Sequence, residues 1–187
     1  MKKVVNIRGG KGSGKSTSIY EYLKAQGYTH DEIVVDGKKL PIEICSGGVA
    51  LGRYTGKKCE GMDIVGTAQL LPLLSEVFKM LQPQWVLYES AFLSYDFKRY
   101  VIAQRLAKLY RYKFIALTLE VDYEKRIERL NGRKGSPVKT QMIQEGLKYV
   151  KRCDKRLQKS GITVIHKNVT DFQKTDYVDL LDKIIKM

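Results

Sequence analysis

The sequence predicts an α/β fold built on a mainly parallel β-sheet. Short apolar segments alternate with longer segments of helical periodicity along most of the 187 residues, which is the pattern of strands joined by crossover helices. The strand segments are apolar throughout, as is typical of strands covered by helices on both faces. The apolar content of 43 % is enough for one hydrophobic core, so we expect a single domain over residues 1–187.

The elements follow from apolar periodicity and turn signals. A buried strand over residues 3–7 leads into a helix over residues 16–25. Asp36-Gly37 separates two apolar runs, which is a strong signal for an antiparallel hairpin. Thr67 is expected to cap a helix that ends near residue 81. Strands are expected at 85–88, 114–121 and 162–165, and helices at 95–110, after Asp122, at 138–159 and at 175–186.

The composition disfavours membrane proteins, disulfide-rich proteins and zinc proteins. No segment approaches the roughly 20 apolar residues of a membrane span, and the first residues lack the apolar core of a signal peptide. Cys45, Cys59 and Cys153 are odd in number and far apart, which argues against a disulfide framework and a zinc site. We expect a cytoplasmic protein without a membrane partner.

Residues 9–17 read GGKGSGKST and match G-x-x-x-x-G-K-[ST] between the first strand and the first helix. Glycines let the backbone N–H groups surround a phosphate, and the helix N-terminus adds a favourable dipole. Lys15 is expected to reach the β- and γ-phosphates of ATP, and Ser16 to ligate Mg²⁺. The motif predicts a three-layer P-loop NTPase fold whose nucleotide contacts are Gly10, Lys11, Gly12, Ser13, Gly14, Lys15, Ser16 and Thr17.

Among P-loop proteins, the sequence favours a kinase. Asp63-Ile64-Val65-Gly66 matches the D-x-x-G of GTPases, but no apolar strand precedes it and no N-K-x-D motif occurs. Motor ATPases usually end a strand in Asp-Glu, whereas WVLYES offers only Glu89. A carboxylate at that strand end can help hold the metal or accept a proton from a substrate hydroxyl, so Glu89 is a candidate for both roles.

Arg126, Arg129 and Arg133 follow the third parallel strand. In this position they resemble the lid of the nucleoside-monophosphate kinase group, here about residues 122–138, with a loop at 133–137. The resemblance implies that Arg126 and Arg129 stabilise the transferring phosphoryl group and that Arg129 and Arg133 contact the nucleotide. The alternative is a solvated helix face.

The acceptor is expected beside an insertion over residues 36–66. Tyr54 could stack on a base, Arg53 could hold a phosphate, and Asp63 could orient or deprotonate the attacking hydroxyl. The alternative is an irregular surface loop. Arg53, Tyr54 and Asp63 are the candidate substrate contacts.

The charge distribution points to a polyanionic partner. The chain carries 34 Lys and Arg against 20 Asp and Glu, a net charge of +14, and residues 96–168 hold 19 basic and 7 acidic residues. Such a concentrated excess suits nucleic acid. The long helix is expected to contact DNA phosphates through cations at three- and four-residue spacing, with only Asp154 interrupting: Lys148, Lys151, Arg152 and Lys155, followed by Arg156 and Lys159.

The P-loop, the GRY…C-x-G-x-D stretch at residues 52–63 and the strand-end YES together resemble the bacteriophage P-loop kinases that phosphorylate 5-hydroxymethyluracil in DNA. The resemblance implies transfer from ATP, with Mg²⁺, to a base hydroxymethyl group during DNA hypermodification, with Glu89 or Asp63 as the base. A base within a duplex would be flipped out. The alternatives are a free deoxynucleotide or nucleoside monophosphate kinase, and a non-catalytic, nucleotide-dependent DNA-binding protein.

Overall fold

A computed structural model describes residues 1–56, 61–89, 94, 96–134 and 140–187, with only the backbone of residues 133–134. The elements are β1 (Lys3–Arg8), α1 (Lys15–Gln26), β2 (Tyr28–Val35), β3 (Lys38–Cys45), β4 (Gly48–Leu51), α2 (Met62–Val65), a 3₁₀ turn (Thr67–Gln69), α3 (Leu70–Met80), β5 (Trp85–Glu89), α4 (Phe97–Leu109), β6 (Lys113–Glu120), α5 (Tyr123–Lys134), α6 (Thr140–Lys159), β7 (Thr163–Asn168) and α7 (Lys174–Lys186).

The seven strands form one sheet in the order β2-β3-β4-β5-β1-β6-β7. From β4 to β7 every neighbouring pair is parallel, and β1 lies at the centre, with Val5 beside Leu87 of β5 and Ile115 of β6. Helices α3, α4 and α6 share one core cluster on one face, and α1 and α7 share the other. The predicted three-layer, mainly parallel α/β architecture is confirmed.

The antiparallel hairpin is also confirmed. β2 and β3 pair over eight residues each and extend the parallel sheet through β4. Asp36 and Gly37 connect them with φ angles of 48° and 75°. Positive φ at both central residues defines the turn type whose twist matches that of paired strands, and Asp-Gly adopts it readily.

Four local predictions are wrong. Thr67 does not cap a helix: it starts the 3₁₀ turn, and Gln69 precedes α3. Residues 133–134 belong to α5 rather than to a loop. Strand β7 is an edge strand with several exposed residues rather than a strand covered on both faces. The spacing of apolar residues along the long helix, from Met142 to Leu157, predicts that Met142 faces the core, but its side chain is 61 % exposed.

Cys45 and Cys153 are buried with free thiols, as expected, whereas Cys59 lies outside the described residues. Within the described part of the chain, no helix is both long enough and apolar enough to cross a bilayer.

Candidate active site

The P-loop connects the end of β1 to the start of α1, at the carboxyl edge of the sheet. Gly12 and Gly14 adopt φ angles of 79° and 87°, which glycine alone reaches without strain. The loop curls around the Lys15 side chain, whose Nζ donates to the carbonyl oxygens of Gly9 and Gly10 at 3.1 and 3.4 Å. The geometry is that of an anion-binding loop at a helix N-terminus.

Ser16 and Glu89 meet at the mouth of this loop. The Ser16 hydroxyl donates to Oε1 of Glu89 at 2.7 Å, although the two residues come from different crossover units. Glu89 is 1 % exposed and ends β5, the neighbour of β1. A hydroxyl and a carboxylate at this spacing are hard oxygen ligands, so the residues fit a partly hydrated Mg²⁺ held jointly with phosphate oxygens.

The segment before α2 is held against this carboxylate. A Cβ at Gly61 would lie 2.6 Å from Oε1 of Glu89, and one at Gly52 would lie 2.2 Å from the Gly61 carbonyl carbon. The Gly61 N–H also donates to the Arg53 carbonyl at 2.8 Å. Only glycines permit this approach, so the segment carrying Arg53 and Asp63 is fixed beside Glu89. Residues 57–60 lie outside the described residues.

Tyr54 packs beneath this segment. Its side chain is 0 % exposed, so its ring offers no face to a base, and the predicted stacking role is corrected to a packing role. Burial, together with the carboxylates of Glu89, Asp63 and Glu43, raises the pKa of Tyr54 well above its usual range. Asp63 itself is exposed on α2. Both Asp63 and Glu89 thus act electrostatically on the Tyr54 hydroxyl.

A second hydrogen-bonded pair supports the segment from the hairpin. The buried carboxylate of Glu43 accepts the Tyr54 backbone N–H at 2.9 Å and contacts Nδ1 of the half-exposed His30 at 2.5 Å. Burial raises the pKa of Glu43, while the Tyr54 N–H, His30 and Arg53 act against that rise. The sequence contained no signal for this pair, because its members are brought together only by the β2–β3 register.

Arg126 of α5 lies against the P-loop, and Arg129 contacts the segment before α7, so neither side chain lies on a solvated helix face. Arg126 is 1 % exposed; a Cβ at Gly10 would lie 2.2 Å from its Nη1, and its Nη2 donates to the Val121 carbonyl at 3.3 Å. Arg129 donates to the carbonyls of Val169 and Thr170 at 3.3 and 2.8 Å. The side chain of Arg133 and residues 135–139 lie outside the described residues, so the lid over 122–138 stays a prediction.

Arg129 also borders a cavity of about 300 Å³ on the α1–α7 side of the loop. Tyr177 supports its floor, since a Cβ at Gly14 would lie 2.6 Å from its hydroxyl. The cavity has aromatic, cationic and backbone groups beside the helix N-terminus. It is lined by Gly12, Gly14, Thr17, Arg129, Phe172, Gln173, Lys174 and Tyr177.

A second cavity, of about 240 Å³, lies on the opposite side of the loop. Gly9 and Gly10 form one wall, the end of β6 with Thr118 forms another, and α6 closes it with Leu147 and Lys151. Helix α6 therefore reaches the P-loop with its own side chains. Lys151 belongs both to this wall and to the basic row predicted from the sequence.

A buried ion pair joins the P-loop to α6. Arg8, the last residue of β1, is 0 % exposed and lies 3.1 Å from Oδ1 of Asp154. Thr118 donates to Oδ2 of Asp154 at 3.0 Å, and Arg8 donates to the Ser94 carbonyl at 2.7 Å and stacks on Tyr100. Burial raises the pKa of Asp154, and Arg8 opposes that rise.

This finding corrects the predicted position of Asp154. The acidic residue does not interrupt the basic face, because it points into the core. Lys148, Lys151, Arg152 and Lys155 are all exposed on α6, as are Arg156 and Lys159. The sequence signal for the Arg8–Asp154 pair was the charged residue that ends an otherwise apolar strand directly before the P-loop.

The fold resembles that of known kinases. A gluconokinase from Sinorhizobium meliloti 1021 matches with a TM-score of 0.52 over 98 % of this chain and 94 % of its own, at 14 % identity. A deoxyadenosine kinase from M. mycoides gives TM-scores of 0.52 with dCTP bound and 0.54 with dCMP and dCDP as bound products. The sequence identities in these two matches are 15 % and 13 %, and each match covers 98 % of this chain and 100 % of the deoxyadenosine kinase.

No model of a known protein family matches the sequence, and no curated protein matches it either. At sequence identities this low, structural similarity shows a shared fold and nothing more. This chain has the three-layer α/β fold shared by P-loop kinases, and the predicted nucleotide-kinase-like fold class is confirmed.

Proposed function

We propose that this protein is an ATP-dependent kinase whose acceptor is a hydroxyl carried by DNA, namely the hydroxymethyl group of a modified base such as 5-hydroxymethyluracil. The kinase part rests on the buried Glu89 carboxylate, 2.7 Å from the Ser16 hydroxyl at the P-loop. The DNA part rests on the exposed cations of α6, because Lys151 joins that row to the cavity beside Gly9 and Gly10.

ATP would place its phosphates in the P-loop. We assign its adenine to the cavity of about 300 Å³ that Arg129 and Tyr177 border. Lys15 would exchange its two carbonyl contacts for β- and γ-phosphate oxygens, since its Nζ already points into the loop. Mg²⁺, held by Ser16 and Glu89, would neutralise charge on the phosphates.

The transfer is in line. The acceptor hydroxyl oxygen forms a bond to the γ-phosphorus while the bond from that phosphorus to the β–γ bridging oxygen breaks, and ADP departs. The hydroxyl proton passes to Glu89 or to Asp63, which belongs to the segment that lies against Glu89. Lys15, Arg126 and Arg129 would stabilise the charge on the equatorial oxygens, with Arg126 nearest the loop.

On the acceptor side, Arg53 and Asp63 would orient the substrate, with Tyr54 supporting them from beneath. DNA phosphates would lie along α6, and a flipped base would enter toward the P-loop. The four cations that we assign to this contact are Lys148, Lys151, Arg152 and Lys155. They are all exposed, so binding should depend steeply on salt.

The second candidate is a kinase for free deoxynucleotides or nucleosides. It is favoured by the likeness to a deoxyadenosine kinase that has dCTP, or dCMP and dCDP, bound. A mononucleotide needs only a few cations, which leaves the exposed row on α6 without a role. A nucleotide-dependent DNA-binding protein without transfer would still use Ser16 and Glu89 to hold Mg²⁺, but it would leave the arginines after β6 and the stretch at residues 52–63 without a role.

The test is transfer of labelled phosphoryl from [γ-³²P]ATP to three acceptors in parallel: DNA with 5-hydroxymethyluracil, unmodified DNA, and mixed free deoxynucleotides. We expect label on the base of the modified DNA, and none with Lys15→Ala. Label only in the free nucleotides would establish the second candidate. DNA binding stimulated by ATP, without transfer to any acceptor, would establish the binding protein.

A further inference from the structure

Helix α4 presents a basic surface that the function above does not use. Lys98, Arg105 and Lys108 are exposed on α4, and the helix contains no acidic residue. Its fourth cation, Arg99, is paired with Asp96 at the helix N-cap. The buried side of α4 carries Tyr100, Ala103 and Ala107, so its charged residues all lie on the outer side or its margins.

This surface is continuous with α6. Phe97 lies under the Arg156 guanidinium, whose carbon is 4.1 Å from the ring centroid. Tyr100 and Ala103 of α4 share a core cluster with Cys153 and Leu157 of α6. The first turn of α4, with Lys98, therefore lies beside the last turns of α6, with Lys155 and Lys159.

The excess of basic over acidic residues is larger on the α4–α6 face of the sheet than on the opposite face. Helices α4 and α6 together carry ten basic and two acidic residues, and one of those acids, Asp154, is buried. On the opposite face, α1 and α7 carry five basic residues, including Lys15, and four acidic ones. Solubility alone does not require such a difference between two faces of one sheet.

We infer that α4 and α6 form a single surface for the DNA phosphate backbone, an inference that rests on the proposed DNA acceptor. We call this the α4–α6 surface: the three exposed cations of α4 named above together with the six exposed cations of α6 from Lys148 to Lys159. From Lys148 to Lys159 the row is about 17 Å long at 1.5 Å per residue. Duplex DNA carries one charge per roughly 1.7 Å of axis, so several phosphates face such a row.

A lipid surface suits these helices less well than DNA. A membrane-surface helix inserts an apolar face between lipid headgroups. The apolar residues of α6, such as Val150, Cys153 and Leu157, are buried in the core instead. From Lys151 to Lys159 the exposed residues of α6 are cations and one glutamine. The exposed apolar side chains of the two helices, Met142 and Tyr149 on α6 and Ile102 and Leu109 on α4, lie outside this stretch, so it fits a hydrophilic polyanion.

The inference is tested by DNA affinity as a function of salt. In the triple variant Lys98→Ala, Arg105→Ala, Lys108→Ala, the negative slope of log K for association against log [salt] should become shallower by about 2 to 3, because each phosphate contact contributes about −0.9. The matched control removes three exposed cations elsewhere, Lys24→Ala, Lys38→Ala and Lys183→Ala, and should keep the wild-type slope. Circular dichroism and thermal unfolding check that both variants are folded.

A slope in the α4 variant equal to that of the control would overturn the inference, as would wild-type protein that binds no duplex at 50 mM salt. Tighter binding to an RNA duplex of the same sequence, or to anionic vesicles, would also overturn it. Wild-type protein that binds DNA through α4 yet phosphorylates no DNA would contradict the proposed function and leave the α4–α6 surface standing.

Discussion

At the residue scale, the buried carboxylates of Glu89 and Asp154 have different functions because their surroundings differ. Glu89 is buried at the P-loop beside the hydroxyl of Ser16, and the proposed function assigns it to the metal and to the substrate hydroxyl. Asp154 is buried against Arg8, where it joins β1 to α6. Removing the first should therefore change the chemistry, and removing the second should change the stability.

For Glu89, we expect Glu89→Gln to lower kcat for phosphoryl transfer by about 10²- to 10⁴-fold, the usual contribution of a positioned acid or base. The glutamine side chain keeps the shape of glutamate and a hydrogen bond to Ser16. It neither accepts the proton of the substrate hydroxyl nor carries a negative charge. Glu76→Gln, on the outer side of α3, is the control and should keep the wild-type rate. An unchanged kcat in Glu89→Gln would contradict this role.

For Asp154, we expect Asp154→Ala to lower the free energy of unfolding by about 3–5 kcal/mol, because Arg8 is left charged and buried without its partner. Urea unfolding measures the change. Glu145→Ala, exposed on the same helix, should stay within about 0.5 kcal/mol of the wild type. If both variants lost the same small amount, the pair would not hold α6 to β1.

At the element scale, the segment from β4 to α2 is positioned by close backbone contacts. Gly52 and Gly61 touch one another, and Gly61 touches Glu89. The β2–β3 hairpin supports the same segment through Glu43. The acceptor side therefore depends on glycines and on a hairpin that contain no reacting group.

The glycine contact gives a matched pair of variants. Gly52→Ala places a Cβ 2.2 Å from the Gly61 backbone, whereas Gly66→Ala meets nothing within 4 Å. Both positions have positive φ, 96° and 88°, so both lose about 1 kcal/mol or more in backbone strain. Only Gly52→Ala should also displace the segment and lower kcat/KM for the acceptor. Equal kcat/KM in the two variants would show that the contact does not position the site.

The buried Glu43 predicts a dependence of stability on pH. Burial raises its pKa above the ordinary value of 4.5, so the folded protein holds this proton more tightly than the unfolded chain does. Its contribution is fully present below pH 4.5 and is lost as the pH rises through the raised pKa. Urea unfolding of wild type and Glu43→Gln from pH 4 to 8 should show the wild type losing stability relative to the variant. A difference that is constant with pH would contradict the raised pKa.

The sequence predicted the parallel sheet, the hairpin turn and the P-loop because each is encoded locally, by apolar runs, by Asp36-Gly37 and by one motif. It also singled out Ser16, from that motif, and Glu89, from its place at the end of a strand, but it did not indicate that the two side chains touch. Tyr54, the Arg8–Asp154 pair and the His30–Glu43 pair were missed or misplaced. Those contacts depend on strand order and register, which the hydrophobic periodicity of the sequence does not specify.

At the scale of the whole molecule, the sheet separates two kinds of surface. The α1–α7 layer balances its charges and borders the cavity assigned to adenine. The α3–α4–α6 layer carries most of the basic excess, and α6 brings Lys151 to the other side of the P-loop. The proposed function follows from this division: nucleotide on one side of the loop, and DNA on the other.

The central claim is tested most directly by competition between two acceptors that carry the same hydroxyl. Wild-type protein is given [γ-³²P]ATP, a duplex with 5-hydroxymethyluracil and an equal concentration of the free 5-hydroxymethyl-deoxyuridine nucleotide, at 50 and 200 mM salt. We predict that kcat/KM favours the duplex at 50 mM and that this preference falls steeply at 200 mM as counterions compete with the basic helices. A preference for the free nucleotide that does not change with salt would contradict a DNA acceptor.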